Sequence, residues 1–410
     1  MTGVIAANHE PLTTNNIRNP VLLGSLGVSS CMESIALKES LAIDPQTDSS
    51  IFLGPKKEAV NRIIEDMRQT IIVGRLPKKV IVGIFGIGKT QFIHYAMNKL
   101  GDVIYPVYVE VPPTHKRSRF TEVYNVVLRR FGKDQVIDLL VDCIKARSKV
   151  LSSEPELTRI IAKSSEGILG FLLWKFLSGS KLTGSELRQM DMGHPTIYED
   201  EAVWVLNLIG DAIIRREHKP LVIFFDEFEN TSQIQGDSFN MFTEAIRGMV
   251  DESSKIGAIF VASGREVADY PATITDEPVK RRIGSHNYVT FMEYTKEELI
   301  QFMEEVLVYR RQSDVSIEKL IESSKTKEEI NSRTFPFTRQ ALELIAQTIF
   351  DLRVQGKLPS LRPSDTLNFM NACVQELIAT PHPGVVDSNF AKSVLSERVE
   401  FLSGEKEVTV

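Results

Sequence analysis

Two short stretches carry residue types and spacings that could do chemistry. The first is Gly83-Ile84-Phe85-Gly86-Ile87-Gly88-Lys89-Thr90, which fits the pattern G-x-x-x-x-G-K-[ST]. Glycines let the backbone turn tightly, so consecutive N–H groups can point at phosphate oxygens. A helix that starts there adds the positive end of its dipole. Lys89 would reach the β- and γ-phosphates of a nucleotide, and the Thr90 hydroxyl would ligate Mg²⁺. Gly83, Gly86, Ile87, Gly88, Lys89, Thr90 and Gln91 are therefore the candidate nucleotide-binding residues. The second stretch is Leu221-Val222-Ile223-Phe224-Phe225-Asp226-Glu227, an apolar run ending in two carboxylates. Asp226 would hold the Mg²⁺ water shell. Glu227 is placed to polarise a water for attack on a γ-phosphate, a general-base role. Either stretch alone has an ordinary alternative, a chance glycine turn or two acids at a strand–loop junction. Together they describe one site for Mg²⁺ and ATP. No guanine-selecting Asn-Lys-x-Asp appears in the expected position, so ATP is expected rather than GTP.

These residues need strands to hold them. Lys79–Phe85 has the apolar, β-branched character of a buried strand, and the following Thr90–Leu100 is helical and stopped by Gly101. Leu221–Phe225 is apolar throughout, as a central parallel strand must be. That sets Asp226 at its C-terminal end, where open α/β sheets bind ligands. Further strands are expected at Val103–Val111, Ile256–Ser263 and Tyr288–Phe291, alternating with helices at Thr121–Phe131, Val136–Val150, Glu201–Arg216 and Phe239–Val250. This alternation predicts a parallel α/β sheet. From Thr295 onward the pattern is helical. Thr295-Lys296-Glu297-Glu298 is a capping box, and helices follow at Phe337–Leu352, Ser364–Ala379 and Asn389–Leu402. Residues 151–200 read as a helical insert. Residues 1–50 hold only seven charged side chains and many Asn, Thr and Ser. They read as an arm with a short helix near Met32–Ala42, or else as a folded cap on the next domain.

The two motifs resemble those of the AAA+ ATPases, P-loop NTPases with a strand inserted between phosphate loop and acidic strand. Val103–Val111 would be that strand. The resemblance covers about residues 51–402. It implies a three-layer αβα P-loop NTPase core with a parallel sheet over 51–292, the helical insert within it, and a helical lid domain with a tail over 293–410. It also implies further site residues. Ser263, ending Ala258-Ile259-Phe260-Val261-Ala262-Ser263, stands where the family senses the γ-phosphate, although Asn or Thr is commoner there. Pro278-Val279-Lys280-Arg281-Arg282-Ile283, Val289-Thr290-Phe291 and Tyr294-Thr295-Lys296-Glu297-Glu298-Leu299 look like the core-to-lid transition of the replication-initiator (Orc/Cdc-type) branch. Arg281 or Arg282 would then be a finger reaching a neighbouring subunit's ATP, which implies a homo-oligomer. Arg362, in Leu361-Arg362-Pro363-Ser364, would be the lid arginine on the nucleotide. It lacks the usual Gly-x-Arg setting. Trp174-Lys175-Phe176-Leu177-Ser178-Gly179, Leu182-Thr183-Gly184-Ser185-Glu186-Leu187 and Asp226-Glu227-Phe228-Glu229-Asn230 are loosely similar to ATP-binding proteins of BREX-type phage-resistance clusters.

The rest of the chain bounds the function. It has 410 residues, 48 Lys and Arg against 54 Asp and Glu, and a net charge of −6. A surface that is basic throughout is excluded, but a local basic patch is not. The densest local cluster is His115-Lys116-Arg117-Ser118-Arg119 with Arg129-Arg130. Lys116, Arg117 and Arg119 are candidate contacts for DNA or RNA; a solvated charged face is the ordinary alternative. Cys31, Cys143 and Cys373 are widely spaced, which argues against a disulfide framework or a cysteine zinc site and suits a reducing cytoplasm. No apolar stretch is long enough to span a bilayer, so no membrane is expected. The expected protein is a Mg²⁺-dependent ATPase acting as a switch or remodeller with nucleic acid, in defence, replication or mobile elements. The alternatives are an ATP-dependent assembly switch recruiting protein effectors, and a nucleotide-binding scaffold with little turnover.

Overall fold

The computed structural model describes residues 35–38, 40–146, 155–163, 167–265, 269–313, 315–380 and 384–402. Its centre is a five-stranded sheet in the order β2-β3-β4-β1-β5, with every pairing parallel. The strands are β1 (Lys78–Gly83), β2 (Tyr105–Glu110), β3 (Leu221–Asp226), β4 (Ile256–Ser263) and β5 (Tyr288–Phe291). All five fall where the sequence places them. One expectation about their arrangement is corrected. Val103–Val111 lies between the two motifs in the chain, but in space β2 is an edge strand. The strand between β1 and β3 is β4.

Alternation along the strands builds two cores. Val80, Val82, Ile223, Phe225 and Phe260 face one side; Ile81, Val222, Phe224, Ile259 and Val261 face the other. β3 is buried at all six positions, so it needs apolar residues on both faces. On the first side lie α3 (Phe120–Phe131), α4 (Lys133–Ala146), α8 (Glu199–Glu217) and α9 (Gly236–Met249). The insert helices α5 (Pro155–Lys163), α6 (Gly167–Leu177) and α7 (Gly184–Met190) extend this layer. Trp174 is partly buried against it, an ordinary packing role. On the second side lie α1 (Lys57–Ile72) and α2 (Lys89–Leu100). The short helices α10 (Ala272–Thr275) and α11 (Glu277–Ile283) join β4 to β5. The core is thus a three-layer αβα sandwich.

The C-terminal region is helical: α12 (Lys296–Tyr309), α13 (Ile317–Ser323), α14 (Arg339–Val354), α15 (Pro363–Ala379) and α16 (Ser388–Leu402). The capping box at its start forms as expected. Thr295 Oγ1 accepts from Glu298 N at 3.1 Å, and Thr295 N donates to Glu298 Oε2 at 2.8 Å. This lid shares one continuous apolar cluster with the second side of the core, through Phe302, Leu342, Ile345 and Met370.

The described part of the N-terminal segment is packed, with hydrogen bonds chiefly to the C-terminal helices. Ile35, Leu37 and Leu41 are buried. Residues 35–38 and 40–42 form turns and a bridge to Arg311, not the expected helix. The remainder of Met32–Ala42, and residues 147–150 at the end of the helix expected from Val136, lie outside the described residues, as does Cys31. Among the described residues, no helix is long and apolar enough to cross a membrane.

Candidate functional site

The site is assembled at the C-terminal ends of β1, β3 and β4. After β1 the chain turns through Ile84–Gly88 into α2. Gly86 and Gly88 take φ values of 78° and 101°, which side-chain-bearing residues adopt at a cost. Gly86 has a second reason to be glycine: a Cβ there would lie 2.3 Å from Ser364 Oγ and 3.3 Å from Arg362 Cδ. The N-cap of α2 is Gly88, and no side chain caps it. The first N–H groups of the helix are therefore offered to the cavity, where an anion can accept them.

Lys89 crosses this turn. Its Nζ donates to Gly83 O at 2.8 Å, Ile84 O at 3.0 Å and Ser263 Oγ at 2.9 Å. Burial lowers its pKa, against the field of Glu229, Asp226 and Glu227. Thr90 Oγ1 donates to Asp226 Oδ2 at 2.8 Å, joining the two motifs across 136 positions of sequence. Asp226 is buried. Glu227 is exposed and sits at φ 54°, ψ 35°, a left-handed conformation that aims it away from the strand direction. Partial desolvation of its carboxylate raises its pKa, and the neighbouring carboxylates of Glu110, Asp226 and Glu229 add to the rise.

The cavity, about 260 Å³, has two characters. Its polar lining comes from Gly86, Gly88, Lys89, Thr90, Asp226, Glu227 and Ser263, and its apolar lining from Ile43, Pro45, Ile51, Phe52 and Leu53 with Tyr294, Phe302 and Leu367.

The remaining candidates divide. Ser263 is in the site, between Lys89 and Glu229. Its N–H donates to Glu229 Oε2 at 2.9 Å. Gly83 ends β1 opposite Ser263 and Phe291. Ile87 is among the cavity-lining residues and is buried. Arg362 stands at the N-cap of α15, beside Gly86, with its guanidinium on Asp365 at 2.7 and 2.9 Å. Gln91 also lines the cavity, but its Nε2 is turned to the backbone, donating to Asp48 O at 2.9 Å and Ile51 O at 2.8 Å. Arg281 and Arg282 do not line this chain's cavity. Arg281 is exposed on α11, paired with Glu277 at 3.1 Å, and Arg282 pairs with Asp251 at 3.1 Å.

The basic cluster is also rearranged. Arg119 makes a two-pronged ion pair with Glu199 at 2.6 and 2.5 Å, which removes it from the expected phosphate contacts. Arg129 and Arg130 lie at the far end of α3, about 16 Å from Arg119 at 1.5 Å per residue. What stays exposed together is the tip His115, Lys116 and Arg117.

Four residues of the site were not singled out by the sequence. Tyr108 OH donates to Asp226 Oδ2 at 3.2 Å, and burial followed by the Asp226 charge raises the phenol pKa. Glu110 pairs with Asp226 across β2 and β3. Glu229 holds Ser263, and Asn230 Nδ2 donates to Val111 O at 2.8 Å and Glu227 Oε2 at 3.4 Å. The carboxylate-rich run Asp226–Asn230 was the available signal, but its side-chain directions depend on the turn at Glu227.

No family model and no curated protein matches the chain. Among solved structures, it is similar to the Aeropyrum pernix ORC2 protein in ADPNP–ADP complexes, with a TM-score of 0.47 and 12% identity over 84% of this chain and 70% of that one. It is similar to the Aeropyrum pernix ORC1 protein in complex with DNA, with a TM-score of 0.45 and 12% identity over 90% and 72%. It is also similar to the Thermotoga maritima RuvB Holliday junction branch migration motor, with a TM-score of 0.39 and 11% identity over 84% and 70%.

Proposed function

We propose that the chain binds ATP with Mg²⁺ and hydrolyses it. One observation carries this reading: Lys89 is hydrogen-bonded to Ser263 and Thr90 to Asp226 in the lining of one cavity that also carries apolar side chains. Lys89 and the first N–H groups of α2 bind the phosphates. The Thr90 hydroxyl and Asp226 carboxylate, 2.8 Å apart, suit a cation that keeps most of its waters and takes other ligands from phosphate, as Mg²⁺ does. Among the described residues, no group of three His, Cys, Asp or Glu offers an all-protein cage. Mg²⁺ bound there would neutralise phosphate charge. Glu227 orients a water and takes its proton as the water oxygen bonds to the γ-phosphorus and the bridging P–O bond breaks. Arg362, beside Gly86, brings the lid to the phosphates.

Lys89→Ala abolishes ATP binding; unchanged binding of a fluorescent ATP analogue sinks the reading. Glu227→Gln keeps binding and lowers turnover by on the order of 10²–10⁴. A Glu227→Gln protein that turns over like wild type removes that residue from the mechanism.

A finer reading is association with nucleic acid through Lys116 and Arg117. It is supported by a mechanical link from the tip to Glu227. Gln235 N donates to Lys116 O at 3.0 Å, Thr114 Oγ1 donates to Asn230 O, and Asn230 Nδ2 donates to Glu227 Oε2. A polyanion on the tip would therefore pull on the loop that sets the Glu227 side chain. Arg281 and Arg282, exposed and away from this chain's own cavity, suit the oligomer reading, in which one of them completes a second copy's site.

A further inference from the structure

Residues 40–53 supply Ile43, Pro45, Ile51, Phe52 and Leu53 to the lining of the cavity, and most of their ties run to the lid. Just before them, Lys38 N donates to Arg310 O at 2.9 Å, and Gln312 N donates to Ala36 O at 3.0 Å. Just after them, Gly54 N donates to Glu305 Oε2 at 2.7 Å. Between these ties sits Asp48, only 4% exposed. Its carboxylate accepts from Tyr309 OH at 2.9 Å, Arg310 Nη2 at 2.7 Å and Asp44 N at 2.9 Å. Arg310 is 6% exposed and also donates to Ala42 O. A buried ion pair gives little stability that apolar packing could not. Removing one partner, however, leaves an uncompensated charge, so the pair holds one geometry against others.

The core side of the wall is held by Gln91. It follows Thr90 directly, and its amide donates to Asp48 O and Ile51 O. Among the described residues, these are the hydrogen bonds from the phosphate-loop helix to residues 40–53. The backbone that carries Ile51 and Phe52 is thus fixed from both sides: by Asp48–Arg310 to the lid, and by Gln91, which follows Thr90, to the core.

We infer that residues 40–53 are a strap carried by the lid, and that Gln91 and the Asp48–Arg310 pair are positioning residues that set the base-facing wall at a fixed distance from the phosphate loop. The inference rests on the nucleotide reading above. It makes the affinity for the base depend on the strap, while the affinity for phosphate groups depends on Lys89 and Thr90. Lid position and base binding are then coupled, because the wall is tied to both α12 and the phosphate-loop helix.

The test compares two ligands, ATP and inorganic tripolyphosphate, titrated by calorimetry into the full chain. In Gln91→Ala the affinity for ATP falls about 5- to 30-fold, the value of one or two lost hydrogen bonds, and the affinity for tripolyphosphate holds. Arg310→Lys keeps the charge but loses the planar fork, so it gives a smaller loss, again confined to ATP. Equal losses for both ligands, or no loss for ATP in Gln91→Ala, overturn the inference. Gln91 is only partly buried, so its variant stays informative even if Arg310→Lys does not fold. Lys89→Ala separates the two readings: it should lose both ligands, and if it binds both as wild type does, the nucleotide reading itself fails.

Discussion

The surroundings of Glu227 bear directly on the general-base role proposed for it. Its left-handed backbone costs about 1–3 kcal/mol, which the surrounding turn must hold in place. Two local bonds do so: Glu227 N donates to Asp226 Oδ1 at 3.0 Å, and Asn230 N donates to Glu227 O at 2.9 Å. Partial burial first, and then the charges of Glu110, Asp226 and Glu229, raise its pKa. A general base works only when ionised, so turnover is present above that pKa and lost as pH falls through it. The acidic limb of kcat should therefore lie above the ordinary glutamate range. Glu110→Gln removes one negative neighbour, lowers the pKa of Glu227 and moves this limb to lower pH, with turnover at neutral pH unchanged. Profiles of kcat from acid to neutral pH check this for both proteins. A limb that stays put, or moves upward, removes the field of Glu110 from the account.

At the scale of elements, what was legible followed local rules. β1, β3 and β4 were visible because each is an apolar run buried at nearly every position, and the edge strands β2 and β5 because of their aromatic and β-branched residues. The start of α12 was visible because a capping box is written in four consecutive residues. The phosphate loop and Asp226 were visible for the same reason. Strand order was not, because the pairing of β4 with both β1 and β3 is a matter of long-range hydrogen bonds. The strap was missed because its ties to the lid are largely backbone groups and one buried ion pair 262 residues apart in sequence. Arg119 counted toward a basic cluster because its partner Glu199 lies 80 positions away. Gly210 makes the same point energetically. In sequence it merely weakens α8, and Ala there would gain about 1 kcal/mol of helix propensity. In the structure its Cβ would lie 2.4 Å from Lys255 O, just before β4, which is fixed between β1 and β3. Overpacking of this kind costs typically about 1–3 kcal/mol, and a backbone carbonyl has little room to move. Gly210→Ala is therefore expected to lower the denaturant midpoint. A midpoint that is unchanged or higher would show that the α8–β4 contact has slack.

At the scale of the whole molecule, a net charge of −6 makes a general attraction to polyanions weak. Any nucleic-acid affinity must come from a local feature. The structure reduces the sequence cluster to the exposed tip at His115, Lys116 and Arg117, since Glu199 holds Arg119 and the length of α3 separates Arg129 and Arg130. Two permanent cations on a small tip imply a small number of phosphate contacts. Binding should then be weak and only mildly salt-dependent, with log K falling by about 0.9 per contact per tenfold rise in salt. The tip is bonded to the loop that holds Asn230 and Glu227, so DNA should act on turnover more than on ATP affinity. ATPase rate measured with and without duplex DNA at low salt should rise with DNA in the wild type. In Lys116→Ala/Arg117→Ala the basal rate should persist, the stimulation should vanish, and the salt slope of DNA binding should fall by about 2. A wild-type rate indifferent to DNA at low salt would discard the nucleic-acid reading and leave the nucleotide site intact, favouring an assembly switch whose output is another protein. Stimulation that survives the double substitution would place the DNA contact elsewhere on the molecule and break the proposed link from tip to Glu227.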